Sequence, residues 1–174
     1  MASRIGALRV LVGPGRSRGW LVAGPFRIPC AIGPAGVVRV KREGDGGTPA
    51  GRFALLWGYY RPDRPRPAAG GVPLQALRRD QGWCEDPESR NYNRPVRAPS
   101  RDATDRMWRA DALYDLVFVL EQNFSRRAKG RGSAIFFHIA RADLSPTAGC
   151  VAIPLAAMRR LAPRLARGAV VVIQ

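Results

Sequence analysis

The feature that most constrains this chain is its punctuation: 19 glycines and 15 prolines divide the 174 residues so often that apolar segments stay short. A helix needs about ten or more uninterrupted residues to bury a stripe, whereas a strand needs about five. In residues 7–40 the runs ALRVLV, RGWLVA, FRIPCAIG and VVRV follow one another, separated by GPGRSRG, Gly24-Pro25 and GPAG. Glycine and proline supply the turn geometries that close adjacent strands, so this spacing predicts a β-meander. The loop KREGDGGTPAG then leads into RFALLWGYY, an apolar and aromatic run that fits a core strand.

LVFVLEQ (116–122) and AIFFHIA (134–140) read as two more buried strands, separated by the basic turn NFSRRAKGRGS, and GAVVVIQ reads as a last one. Between them, IPLAAMRRLAPRLARG carries Leu155, Met158, Leu161 and Leu165 at helical spacing, with Pro154 suited to its start and Pro163 to its end or kink. The expected class is mainly β (α+β) with one or two short helices. Residues 61–105 differ in character, because Pro62, Pro65, Pro67, Pro73, Pro87, Pro95 and Pro99 make continuous secondary structure improbable. This proline-rich insert is expected to be ordered, since it carries Trp83, Tyr92, Glu85, Asp86 and Asn93.

The length suits one domain spanning residues 1–174. Twenty-nine cations against 13 acids give a net charge of +16, and only Lys41 and Lys129 are lysines. Such a field attracts anionic partners, whether nucleic acid, anionic lipid or a carboxylate-rich polymer. The arginines are scattered, with no run longer than Arg-Arg, so no nucleic-acid partner is expected. No stretch is apolar enough to span a bilayer, and the first 20 residues read as strand and turn rather than as a secretion signal. Cys30, Cys84 and Cys150 are an odd, widely spaced set without a C-x-x-C pair, which argues against a disulfide framework and against a zinc site with His138. No metal and no cofactor are expected, and a monomer is the expected state.

His138, the only histidine, follows AIFF on an expected buried strand, and Cys150 comes after the loop RADLSPTAG. An imidazole beside a thiol can take its proton and leave a nucleophilic thiolate. Taken singly, a strand-end histidine and a buried cysteine need no such role. The run Thr147-Ala148-Gly149-Cys150 changes the balance, because glycine before the thiol permits a turn that aims consecutive backbone N–H groups at an oxyanion, with Thr147 orienting the loop or donating to it. Trp83, Tyr92 and Tyr114 could form an aromatic substrate wall or cover a core edge.

Together, KREGDGGTPAGRF (41–53) and FFHIARADLSPTAGCVAI (136–153) resemble the YkuD-type L,D-transpeptidase family of bacterial cell-wall enzymes. The resemblance spans about residues 7–173. It implies a β-sandwich-like catalytic domain in which Cys150 attacks the carbonyl of the third residue of a peptidoglycan stem peptide. D-Alanine then leaves, and a neighbouring amine resolves the thioester into a cross-link. His138 would be the base, and Gly149 and Cys150, with Thr147, the oxyanion positions. A location in the periplasm or cell envelope is implied as well. The chain departs from the commonest pattern at Ile139, Ala148 and Ala152; the last stands where an arginine is frequent, and Arg141 is the candidate replacement, beside Tyr114 and Trp83 as substrate contacts. The rival readings are an L,D-carboxypeptidase or other peptidoglycan amide hydrolase on the same site, and a non-catalytic basic module that binds envelope polymer or nucleic acid.

Overall fold

A computed structural model describes residues 3–174. Along the chain lie β1 (Ile5–Val12), β2 (Arg18–Ala23), β3 (Phe26–Ala31), β4 (Val37–Val38), β5 (Thr48–Pro49), β6 (Gly51–Tyr60), β7 (Leu74–Ala76), β8 (Gln81–Cys84), β9 (Pro95–Arg97), β10 (Thr104–Arg106), β11 (Leu116–Leu120), β12 (Phe136–Ile139), β13 (Val151–Ile153), α1 (Leu155–Leu161) and β14 (Leu165–Ile173). The expected meander holds for β1, β2 and β3, which pair antiparallel in succession. VVRV departs from it: only Val37 and Val38 are extended, and they pair parallel with Thr48 and Pro49.

Nine strands form one sheet in the order β11-β12-β13-β3-β2-β1-β14-β6-β7, and β6 also pairs with β11. That extra pairing closes the sheet on itself. The two halves face each other across the main core, in a sandwich-like architecture that leaves few free edges. Alternation along each strand fills it: Leu8, Val10, Leu21, Val151, Ile153 and Val171 are wholly buried inside. Helix α1 begins after Pro154 and contributes Met158 and Leu161 to the same core, and Pro163 falls in the 3₁₀ turn that ends it. Among the described residues no helix is long and apolar enough to cross a membrane.

Strands β11 and β12 are buried on both faces. Phe118, Ile135, Phe137 and Ile139 point into the main core, while Val117, Val119, Ala134 and Phe136 join a second core on the outside. The insert builds that second core. Despite its prolines it forms a small antiparallel sheet, β10-β8-β9, because the prolines fall in its turns and at the start of edge strand β9. Trp83, Leu77 and Met107 pack from it onto β11 and β12. The strands are only three or four residues long, so the insert is ordered without continuous secondary structure.

Asn93 fixes the insert to the sheet. Its Oδ1 accepts from Trp83 Nε1 at 2.8 Å and from the Ala134 amide at 3.1 Å, and its Nδ2 donates to the carbonyls of Gln122 and Asn123. All four hydrogen-bonding positions of a nearly fully buried amide are thereby satisfied.

Candidate active site

His138 and Ala152 are register partners on the parallel strands β12 and β13, and Cys150 sits one residue before β13. The alternation that sends Phe137 and Ile139 inward sends Phe136 and His138 to the insert side, where Cys150 also lies. The two side chains open into one cleft of about 400 Å³. Its walls are the KREG segment through Lys41, Glu43 and Gly44, the insert through Glu85, Asp105 and Arg109, and the cysteine loop through Arg141 and Ser145 to Ala148.

The resting chemistry of the pair is neutral. His138 is 5% exposed, and its Nδ1 lies 2.8 Å from the Ile139 carbonyl, which can only accept, so the proton resides on Nδ1. Nε2 has no partner among the described residues and carries the free lone pair. Burial pushes the imidazole down to about 4, with Arg109 and Arg141 acting in the same direction. The Cys150 thiol donates to the Ala134 carbonyl at 3.2 Å and accepts from the Phe136 amide at 3.3 Å. Burial pushes it up to about 12, and the carboxylates of Asp105 and Glu85 add to that. A standing thiolate–imidazolium pair is therefore absent from the resting cleft.

The cysteine turn is braced from inside. Thr147 Oγ1 donates to the Cys150 carbonyl at 2.7 Å and accepts from the Gly149 amide at 3.2 Å, and the Thr147 amide donates to Ile32. With both the hydroxyl and the Gly149 amide engaged within the loop, neither is free to meet an oxyanion in this geometry. Of the two roles open to Thr147, orienting the loop or donating to an oxyanion, these bonds are those of orienting the loop. These bonds, with Asp143 Oδ1 accepting from the Ser145 amide at 2.9 Å, support a loop that has Ala148 and Ala152 in place of longer side chains.

The KREGDGG segment is the floor beneath this turn. Asp45 accepts from Lys41 Nζ, from the Arg42 amide at 2.7 Å and from the Gly47 amide at 2.8 Å, which holds its carboxyl below the usual range. Thr48 Oγ1 accepts from the Gly33 amide at 2.9 Å. The segment supports the turn, and the Gly47 carbonyl lies close against Gly149.

Tyr114 lines the cleft as expected. Its ring meets His138 edge-on at 5.2 Å, and its hydroxyl donates to Asp105 Oδ2 at 2.7 Å. Arg141 also lines it, exposed and without a carboxylate partner among the described residues, whereas Lys41 and Arg109 are paired with Asp45 and with Asp105 and Asp111. Trp83 does not reach it. At 1% exposure it packs edge-on against Phe136 at 5.0 Å in the second core, so its role as a substrate contact is corrected to that of a core residue.

Sequence reasoning missed the acidic wall of Glu43, Glu85 and Asp105. Glu43 accepts from Tyr92 and Ser133, and Asp105 from Tyr114, but Glu85 has no side-chain partner among the described residues. Burial, then Asp105 and Glu43, push Glu85 up to about 7. Its only signal in the sequence was an acid beside aromatics within the insert.

Residues 15–173 match the family model described as the YkuD L,D-transpeptidase catalytic domain. The chain belongs to the YkuD family. The match covers nearly the whole chain, insert included, and its catalytic-domain description agrees with the mainly β architecture and identifies an enzyme fold. No curated protein and no solved structure matches the chain.

Proposed function

We propose that this YkuD domain is a cysteine L,D-transpeptidase acting on peptidoglycan stem peptides in the cell envelope. The observation that carries the reading is the shared cleft: Cys150 and His138 open into it from adjacent strands, and His138 Nε2 is left unpartnered. The Cys150 proton passes to Nε2 as Sγ bonds to the carbonyl carbon of the third stem-peptide residue. The developing oxyanion faces the Cys150 amide. The tetrahedral intermediate breaks its C–N bond, the imidazolium protonates the leaving D-alanine amine, and a thioester remains. An acceptor amine then attacks the thioester, gives its proton to Nε2, and leaves as the new amide while the thiol is restored.

The two unpaired charges in the cleft suit such substrates. Arg141 offers a partner for a stem-peptide carboxylate, and Glu85 one that attracts the acceptor ammonium and takes its extra proton, so that the neutral amine attacks. With water as acceptor, the same steps give L,D-carboxypeptidase hydrolysis, and the partnerless Glu85 favours the amine.

Incubation with disaccharide-tetrapeptide muropeptides, followed by mass spectrometry, tests this. Cross-linked dimers and D-alanine, both absent with Cys150→Ala, are the expected products. Tripeptide alone would make the protein a hydrolase, and no turnover of any stem peptide would overturn the reading.

A further inference from the structure

The insert covers the outward face of β11 and β12, but nothing among the described residues covers the outward face of β3, β2, β1 and β14. Register places one set of side chains there. Leu11 is opposite Trp20, Arg9 opposite both Val22 and Val172, Val22 opposite Arg27, and Val172 opposite Arg52 of β6. Directly opposed residues share a face, so these form one surface, with the buried Leu8, Val10, Leu21 and Val171 on its reverse. Trp20 and Leu11 are each 38% exposed, and the Arg27 guanidinium lies 4.6 Å over the Trp20 ring.

Charge is distributed with the same asymmetry. The first acid in the chain is Glu43 and the last is Asp143, so residues 1–42 and 144–174 contain 12 lysines and arginines and no carboxylate side chain. Those two segments supply β1, β2, β3 and β14 entirely. Arg9, Arg27 and Arg52 have no hydrogen-bond or ion-pair partner among the described residues.

We propose that this sheet face docks on an anionic lipid bilayer, peripherally and without spanning it. Unpaired arginines meet lipid phosphates, while the indole of Trp20 and the aliphatic side chains beside it enter the headgroup boundary. A hydrated polyanion would engage the arginines but leave Trp20 and Leu11 with nothing to bury them. A second copy of the chain would set cations against cations with no acid to answer them. Only a surface that is both anionic and apolar complements both components. This inference is independent of the reaction assigned to the cleft.

Vesicle flotation tests it. The protein is expected to float with vesicles of mixed phosphatidylcholine and phosphatidylglycerol, not with phosphatidylcholine alone, with an affinity that falls as salt rises. Arg9→Gln combined with Arg52→Gln should weaken binding by about fivefold per arginine removed. Trp20→Phe should abolish the blue shift of tryptophan emission on binding, and Trp20→Ala with Leu11→Ser should weaken binding while circular dichroism and binding to dextran sulfate stay unchanged. If the last variant fails to fold, the arginine pair and the emission shift still decide. Absence of flotation at low salt, binding indifferent to all these changes, or dextran sulfate binding that depends equally on Trp20 would overturn the proposal.

Discussion

A Cβ placed on Gly149 would stand 2.7 Å from the carbonyl oxygen of Gly47, so the cysteine turn and the KREGDGG floor are in contact through backbone alone. Gly149 also has φ +128, a conformation side chains rarely adopt. Gly149→Ala therefore faces strain of order 1–3 kcal/mol together with a clash against backbone that cannot swing away. The turn is expected to shift and carry Cys150 with it. Turnover should fall by at least a hundredfold in a variant that still unfolds cooperatively, because a displacement of about 1 Å can cost that much. Activity within tenfold of the parent would show that the contact does not set the nucleophile.

The neutral resting pair has a chemical signature. With the Cys150 thiol pushed up to about 12, its alkylation by iodoacetamide is expected to climb roughly tenfold per pH unit from 7 to beyond 9, because the thiolate is the reactive species. A standing thiolate–imidazolium pair would instead give a plateau near neutrality. Peptide mass spectrometry separates Cys150 from Cys30 and Cys84, which are also free. Such a plateau would contradict the burial-driven shift.

His138 predicts a stability effect of definite sign. Its folded value of about 4 lies below the ordinary 6.5, so the unfolded chain binds a proton that the fold rejects. Stability is fully present above pH 6.5 and declines as pH falls toward 4, by roughly 3 kcal/mol from this group. Denaturation measured across that window should show a smaller loss for His138→Gln than for the parent. Parallel curves would mean that the imidazole charges without cost.

Much of the architecture was legible because short-range patterns decided it. RGWLVA became β2 residue for residue, the run after the Gly-rich loop became β6, and Pro154 starts α1. Cys150 and His138 were legible as candidates because each stands in a local motif, whereas the parallel pairing of β12 with β13, which needs the intervening segment to cross back, was not. The closing pairing of β6 with β11 joins segments some sixty residues apart, and no local period encodes it. The same limit hid the acidic wall: Glu85 and Asp105 reach the cleft only because the insert folds back over β11 and β12. Trp83 was misplaced for a related reason, since an indole beside prolines reads alike whether it faces substrate or a second core.

That second core gives Trp83 a measurable role. Trp83→Ala is expected to cost about 3–5 kcal/mol, the usual range for emptying a large aromatic site. Trp83→Phe keeps most of the packing and deprives Asn93 Oδ1 of one donor, while the Ala134 amide still serves it, so a loss of about 1 kcal/mol is expected with KM unchanged. A raised KM at full stability would return Trp83 to the substrate wall.

If the proposed reaction holds, Glu85 is expected to favour acyl transfer over hydrolysis. Asp105 and Glu43 line the cleft with it, and its value of about 7 makes it neutral in mild acid and ionised in mild base. Once ionised it attracts an acceptor ammonium, and water gains no such advantage. The ratio of cross-linked to hydrolysed product should therefore rise as pH increases through 7. Glu85→Gln should flatten this component, lowering the ratio severalfold at pH 8 while leaving D-alanine release, which reports thioester formation, near the parental rate. The acceptor's own ionisation persists in the variant, so only the difference between the two profiles belongs to Glu85. Equal profiles would remove Glu85 from acceptor binding and leave the rest of the mechanism standing. A parallel loss of D-alanine release would instead place Glu85 in the acylation step.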